Sequence, residues 1–369
     1  MAKFKLALGL LASLLFALAP AAAVHAKEAA SKSSAAKKQN SKKAKVVPSK
    51  SARATGDRAT GKRAKAAPRE KAVRRVVTVR GKRKVIYQRV TSAAVPMAAP
   101  MPTMGDLAGL NLTRDPLDLK SSVALVLDQS NAEVLFEKNS NVALPIASIT
   151  KMMTGLVVVE ARQDMDELLT ITDEDVDRAK FSSSRLKVGS QLTRANMLHI
   201  ALMSSENRAA SALGRNYPGG LPAFVDAMNS KARQLGMMDT HYVDSSGLSK
   251  MNVASARDLG KLAMAAFRHP LLREYSTDPK AIVEASGQPM QFGNTNHLVA
   301  NPGWEIGLQK TGFINEAGRC LMMQAVIEGR AVIMVFLDSK GKQSRTADAG
   351  RMRKWLEALK PANMSLPGG

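Results

Sequence analysis

Hydrophobic patterning predicts an α+β domain whose largely antiparallel sheet is flanked by helices, and three observations carry that expectation. Strand-like apolar runs stand near the start of the apolar part of the chain, in "SSVALVLDQSNAEVLFEKN", and again near its end, in "IGLQKTGF", "CLMMQAVI" and "AVIMVFLD". Between them the period is mostly helical. Composition also changes sharply: residues 27–100 carry 22 Lys and Arg against three acids, so +19 of the net +23 of this 369-residue chain sits ahead of the apolar part. The rest is close to neutral, as an ordinary globular surface is.

Taken in order, residues 1–26 read as a secretory signal: Lys3 and Lys5, an apolar stretch over 6–19, then Val24-His25-Ala26 as a small-residue cleavage site. The apolar stretch is short for a bilayer span. Export to the periplasm is expected, with the tail able to hold the protein peripherally to membrane or wall, and nucleic acid is not expected as a partner. Residues 27–105 hold too little apolar surface to offset ordering entropy and are expected to be a basic, mostly disordered tail. Within it "VRRVVTVRGKRKVIYQRV" alternates apolar and basic residues on both sides of Gly81, as a small hairpin does. It is either a solvated spacer or an electrostatic contact with anionic lipid, lipopolysaccharide or wall polymer. The folded domain is expected over 106–362, with a disordered end at 363–369. It opens with a hairpin turning at Gln129–Asn131. A helix following Ser148 comes next, then a strand-like run over 168–172 and a polar loop through Ser184. Helical segments over 193–235 break at Ser204-Ser205 and at 217–220, and another helix spans 255–267. After a mixed region come three strands and a last helix, "TADAGRMRKWLEALK".

Chemistry concentrates in three short motifs. Ser148 and Lys151, three apart at the start of an apolar run, share one face of a first helical turn, which brings a nucleophile to its base. Alone the pair is ambiguous: Ser34–Lys37 and Ser339–Lys342 repeat the spacing, and a helix-capping serine beside a solvated lysine reads the same. Ser205-Glu206-Asn207 and Lys310-Thr311-Gly312 each occur once, in the order and at roughly the spacing of Ser-x-x-Lys enzymes. With the flanks "LPIASITKMMTG", "LMSSENRAA" and "KTGFINEAGRC", the chain from about 123 to 359 resembles the low-molecular-mass penicillin-binding proteins. These are serine D,D-peptidases of peptidoglycan, and the flanks look most like the D-alanyl-D-alanine endopeptidase branch.

That resemblance implies the three-layer penicillin-binding/β-lactamase-like fold, without a second C-terminal β domain. It implies Ser148 as nucleophile, Lys151 as base, and Lys310 across the same cleft, with Ser205 relaying a proton between them. Asn207 would hold Lys151 and a substrate carbonyl. Lys310 and Thr311 would bind a carboxylate, and Gly312 would let substrate lie against the strand. The N–H groups of Ser148 and Phe313 would form the oxyanion hole. Stem peptides of peptidoglycan would be the substrate and β-lactams covalent inhibitors. Neither cofactor nor metal is expected: the five histidines lack metal spacing, and the single cysteine, Cys320, reads as core filler. Glu206 is expected to face solvent at a helix start, and His297 to make an ordinary polar contact.

Three alternatives stand beside this reading. A class A β-lactamase needs a glutamate for deacylation, yet no Glu lies between Asn207 and Arg273, and Asp226 falls in a helical pattern. A D-alanyl-D-alanine carboxypeptidase would use the same motif residues; only 57 residues follow Gly312, which leaves little room for the extra β domain and anchor helix of that branch. A non-catalytic basic envelope-binding protein would be expected to have lost the nucleophile or base, and both are present.

Overall fold

The computed structural model describes residues 71–79, 82–90 and 101–359. The expected signal segment, the tail around the hairpin, Gly81 and residues 360–369 lie outside the described residues. The chain divides into two units, Met1–Ala94 and Val95–Gly369.

In the first unit β1 (Lys71–Val79) pairs antiparallel with β2 (Lys82–Val90), in register from Lys71↔Val90 to Val79↔Lys82. The alternation around Gly81 is therefore a hairpin, as its sequence suggests. Val76 and Tyr87 are exposed on it.

The second unit starts earlier than the expected residue 106. Thr103 caps α1 (Met104–Leu107) in a reciprocal capping box with Asp106, and Met104 N–H donates to Glu316 O at 2.9 Å. The chain continues through β3 (Ser121–Asp128), β4 (Val134–Lys138), β5 (Leu144–Pro145), α2 (Thr150–Glu160), β6 (Leu168–Thr170) and β7 (Gln191–Thr193). Helices α3 (Arg194–Met203), α4 (Asn207–Arg215) and α5 (Gly220–Gln234) follow, then β8 (Val253–Ala254), α6 (Ala256–Phe267) and α7 (Pro270–Thr277). The expected mixed region holds a hairpin that the sequence reading missed, β9 (Lys280–Ala285) and β10 (Gln288–Gly293). Last come β11 (Glu305–Ile314), β12 (Gly318–Ile327), β13 (Arg330–Ser339) and α8 (Ser344–Ala358).

The main sheet runs β11-β12-β13-β3-β4, every neighbour antiparallel. All eight residues of β3 are buried, because both faces of the sheet are covered. Val123, Leu125 and Leu127 enter the large core with α2 and α6, while Ala124 and Val126 enter a smaller core with Ala349, Met352 and Leu356 of α8. Two cores on opposite faces make three layers: α8, the sheet, and the remaining helices. Close approach of α6 depends on Gly260, where a Cβ would stand 2.8 Å from Leu127 Cδ1.

At the centre lies α2, buried continuously from Thr150 to Val158. Met152, Met153 and Leu156 are fully buried, each worth about 1.5–3 kcal/mol on transfer from water. A helix buried on every side has no face to turn toward solvent, so it is a firm base for the residues at its start. β11, at the sheet's edge, has no strand partner on its outer side among the described residues, the geometry that lets an extended ligand lie along it.

Candidate active site

Ser148 sits on a 3-10 turn, Ala147–Ile149, that runs directly into α2. The entry is fixed by β5 pairing with β8 and by Ala147, whose φ of 49° is in the left-handed region. Such a backbone costs about 1–3 kcal/mol and persists only when its surroundings hold it. Here Thr150 Oγ1 donates to Ala147 O at 2.8 Å, and Gly247 lies so close that a Cβ there would stand 2.0 Å from the same oxygen.

One turn on, Lys151 is fully buried, and its Nζ lies 3.0 Å from Ser148 Oγ, 2.7 Å from Asn207 Oδ1 and 2.6 Å from Ser246 O. As an ammonium it donates to all three. As an amine it gives its two N–H bonds to the two carbonyl oxygens, and its lone pair is left facing the Ser148 hydroxyl. Burial lowers its pKa from the ordinary 10.5 to about 7, against the opposing pull of the Asp244 and Glu206 carboxylates. Both forms are thus populated near neutrality.

Lys310 of β11 donates to Ser205 Oγ at 3.0 Å and to Thr311 O at 2.9 Å. Burial first, then the charges of Lys151 and Arg345, push its pKa well below 10.5. Two ammonium groups around one cleft disfavour each other, and the titration belongs to the pair. Ser205 stands at the break between α3 and α4 with φ 62°, turned so that its hydroxyl meets Lys310.

Asn207, the first residue of α4, receives Lys151 on Oδ1 and donates from Nδ2 to Ser182 Oγ at 3.0 Å. At Gly312 a Cβ would meet Ile146 O at 2.8 Å and Ser148 N at 3.2 Å, so β11 passes directly against the serine turn. Thr311 Oγ1 and Thr295 Oγ1 are 2.6 Å apart. Ile314 O accepts from Ala317 N–H, toward β12. Alternation along the strand then turns the N–H and C=O of Phe313 to the open edge. All eight predicted site residues except Phe313's half-exposed ring line this one junction of the serine turn, the Ser205 loop and β11.

Residues 111–341 match the peptidase S11 family, described as D-alanyl-D-alanine carboxypeptidase. A D-alanyl-D-alanine endopeptidase of Pseudomonas aeruginosa is 46% identical over 74% of this chain and 86% of its own length. One of Escherichia coli is 43% identical over 66% and 79%. Among solved structures, the Streptomyces K15 DD-transpeptidase superposes with a TM-score of 0.62 at 26% identity, covering 67% of this chain and all of that one. Penicillin-binding protein D2 of Listeria monocytogenes, in its cefotaxime-bound form, gives 0.59 at 29%, over 65% and 98%. The chain is a peptidase S11 serine D,D-peptidase.

In this S11 site several partners come from positions the motifs do not mark. Ser246 O, which takes a hydrogen bond from Lys151, belongs to a loop wound on Asp244. That carboxylate accepts from the N–H groups of Ser246, Gly247 and Ser249 at 2.7, 2.6 and 3.0 Å. The signal in the sequence is the Asp-Ser-Ser-Gly turn itself, which predicts a loop but not where it docks. Ser182, Thr295 and Arg345, whose Nη1 donates to Gly312 O at 2.7 Å, carry no local signal at all.

Glu206 departs from expectation. It does start a helix, capping α4 through Arg208 N–H at 3.3 Å, but it is only 8% exposed. The segment 177–190 packs over the start of α4 and removes the solvent assumed for it, with Arg208 donating to Leu186 O at 2.7 Å. His297 is exposed at the start of a 3-10 turn, Asp226 is exposed on α5, and Cys320 is buried with its thiol pKa pushed up to about 12.

Proposed function

We propose that this S11 peptidase is a serine D,D-endopeptidase that cuts D-alanyl to diamino-acid cross-links of peptidoglycan. One observation carries the chemistry: a buried Lys151 whose two hydrogen-bond acceptors leave its third direction to Ser148 Oγ. Neutral Lys151 takes the hydroxyl proton as Ser148 Oγ attacks the D-alanyl carbonyl carbon. The oxyanion is met by Ser148 N–H, at the start of a helix, and Phe313 N–H, on the open strand edge. As the C–N bond breaks, the proton reaches the leaving amine through Ser205 Oγ, which Lys310 holds at 3.0 Å. Lys310 and Thr311 hold the carboxylate on the leaving residue, Asn207 a peptide group of the donor, and water then releases the acyl chain. Support for cross-link cleavage over D-alanine release is the higher identity to endopeptidases, 46% and 43%, than to a Bacillus subtilis carboxypeptidase, 28%.

The test gives the purified enzyme a fluorescent penicillin, a cross-linked dimeric muropeptide and a monomeric pentapeptide. Label on Ser148 with cleavage of the dimer is the expected result. Release of D-alanine alone sinks the endopeptidase assignment and leaves the carboxypeptidase, whose contacts are the same.

We further propose export to the periplasm, with residues 27–100 an electrostatic tether to anionic envelope polymers or a membrane surface. Seven Lys and Arg and no acid stand in β1 and β2. Deleting 27–100 should abolish salt-sensitive envelope association and leave soluble-substrate hydrolysis unchanged; lost hydrolysis contradicts a simple tether.

A further inference from the structure

Beyond Phe313, at the turn end of β11 and β12, a cavity of about 470 Å³ opens among Met101, Phe313, Arg319, Lys340 and Lys342. We propose that it is a subsite for a carboxylate of the acyl-donor stem peptide, upstream of the D-alanyl residue that acylates Ser148. The proposal rests on the D,D-peptidase reading above and adds to it which half of the substrate carries the recognised charge.

Direction along β11 decides which half reaches the cavity. The leaving residue's carboxylate belongs at Lys310 and Thr311, and the reacting carbonyl at the Phe313 N–H. The donor peptide therefore runs from Phe313 toward the turn at 315–318. Extended chain advances about 3.3 Å per residue, so one or two residues upstream of the scissile bond bring the donor to the cavity mouth. Arg319 lies across from Phe313 in the strand register and shares its face, its guanidinium 4.6 Å from the Phe313 ring centroid. Ser339, across from Arg319 on β13, leads directly to Lys340 and Lys342.

Charge decides what the cavity takes. Its one acid, Asp106, is ion-paired with Lys340. Arg319 and Lys342 have no ion-pair or hydrogen-bond partner for their side-chain N–H groups among the described residues, so two cations with open donors face the space. Arg319 is half-buried, with one face of its guanidinium covered by Phe313 and its edge free for the bidentate geometry that carboxylates favour. Met101 and Phe313 supply apolar wall for a hydrocarbon stem between the charges. A donor stem with γ-linked glutamate and a diamino acid offers free carboxylates at this distance from its D-alanine. A donor whose carboxylates are amidated offers none.

The experiment compares the full-length enzyme with an Arg319→Gln/Lys342→Gln double variant. Each receives cross-linked substrate with free donor carboxylates and the same substrate with those carboxylates amidated. In the parent enzyme kcat/KM should favour the free carboxylates, and the preference should shrink as salt is raised. In the variant the preference should fall about tenfold, mostly through KM, a change of about 1.4 kcal/mol. An unchanged preference, or equal loss on both substrates, overturns the proposal. Calorimetric binding of the donor-stem product, free and amidated, reads the subsite without any turnover: equal affinity of the parent protein for both forms overturns it as well. Penicillin labelling of Ser148 is scored separately, so failure of the peptidase reading is told apart from failure of the subsite. A monomeric pentapeptide carries the same donor stem, and the comparison therefore holds for either peptidase activity.

Discussion

Lys151 has three oxygen neighbours and room for either protonation state, and the balance between them sets what Ser148 can do. Burial favours the neutral amine, while Asp244 and Glu206 favour the ammonium; burial wins, and the pKa stands at about 7. The rate of acylation by penicillin should therefore rise with pH through about 7 and level off above it, since the base form grows as the proton leaves. A flat profile between pH 5.5 and 8.5 contradicts Lys151 as the base. Replacing Lys151 by Met should cut acylation by about 10²–10⁴, the usual range for a lost general base. Gly312 is a second point where one atom decides. A Gly312→Ala Cβ would meet backbone at Ile146 O, 2.8 Å away, and cannot be relieved by rotating a side chain. Acylation should fall by roughly 100-fold with a small change in melting temperature, because positioning and not packing is lost.

At the level of elements, the serine turn, the Ser205 loop and β11 are held in place by two segments that no catalytic motif marks, the Asp244 loop and the segment over 177–190. The Asp244 loop locks the serine turn from behind. Gly247, with φ +83° and no space for a Cβ, is the residue that permits it. Gly247→Ala should destabilise the domain by about 2–4 kcal/mol, adding backbone strain to a steric clash. In a domain of this size that is a fall of roughly 5–15 °C in melting temperature. A variant melting within a degree of the parent would show that the loop is not held as described. The segment over 177–190 spans the opposite side, tied by Ser182 to Asn207 and by Lys180 to Glu316 at 2.5 Å. This pair is part-exposed, so its effect on stability is small, about 1 kcal/mol or less. Its consequence is geometric: it joins the Asn207 side of the cleft to the turn that follows β11.

For the whole domain, two buried lysines make stability depend on pH. A lysine whose folded pKa is depressed is deprotonated in the native state before the unfolded chain loses its proton. Between about 7 and 10.5 the unfolded state thus binds more protons, and stability rises with pH. Above about 9 the buried Cys320 thiol opposes this, since the unfolded thiol ionises while the folded one, at about 12, does not. Denaturant unfolding should therefore give a domain more stable at pH 9 than at pH 7, on the order of 2 kcal/mol from Lys151. A Lys151→Met variant should lose much of that difference, and a parent enzyme with no difference contradicts the buried-lysine account.

Much of this molecule is written locally in the chain. The strands of the main sheet alternate or run apolar according to whether one or both faces are covered, and α3 stops at Ser204, α4 just ahead of Pro218-Gly219 and α6 just ahead of Pro270. Those signals act over a few residues, so they can be read without knowing the neighbours. The motifs at Ser148, Ser205 and Lys310 are also local, because catalysis needs fixed side chains at fixed spacing on one element. What they meet is not local. Only the folded chain decides that Ser246 supplies a carbonyl to Lys151, that Glu206 is covered, that Ser182 holds Asn207, and that Arg319 and Lys342 flank the path beyond Phe313. Each of these depends on segments from about twenty to nearly a hundred residues apart being packed together, and no short-range periodicity carries that information.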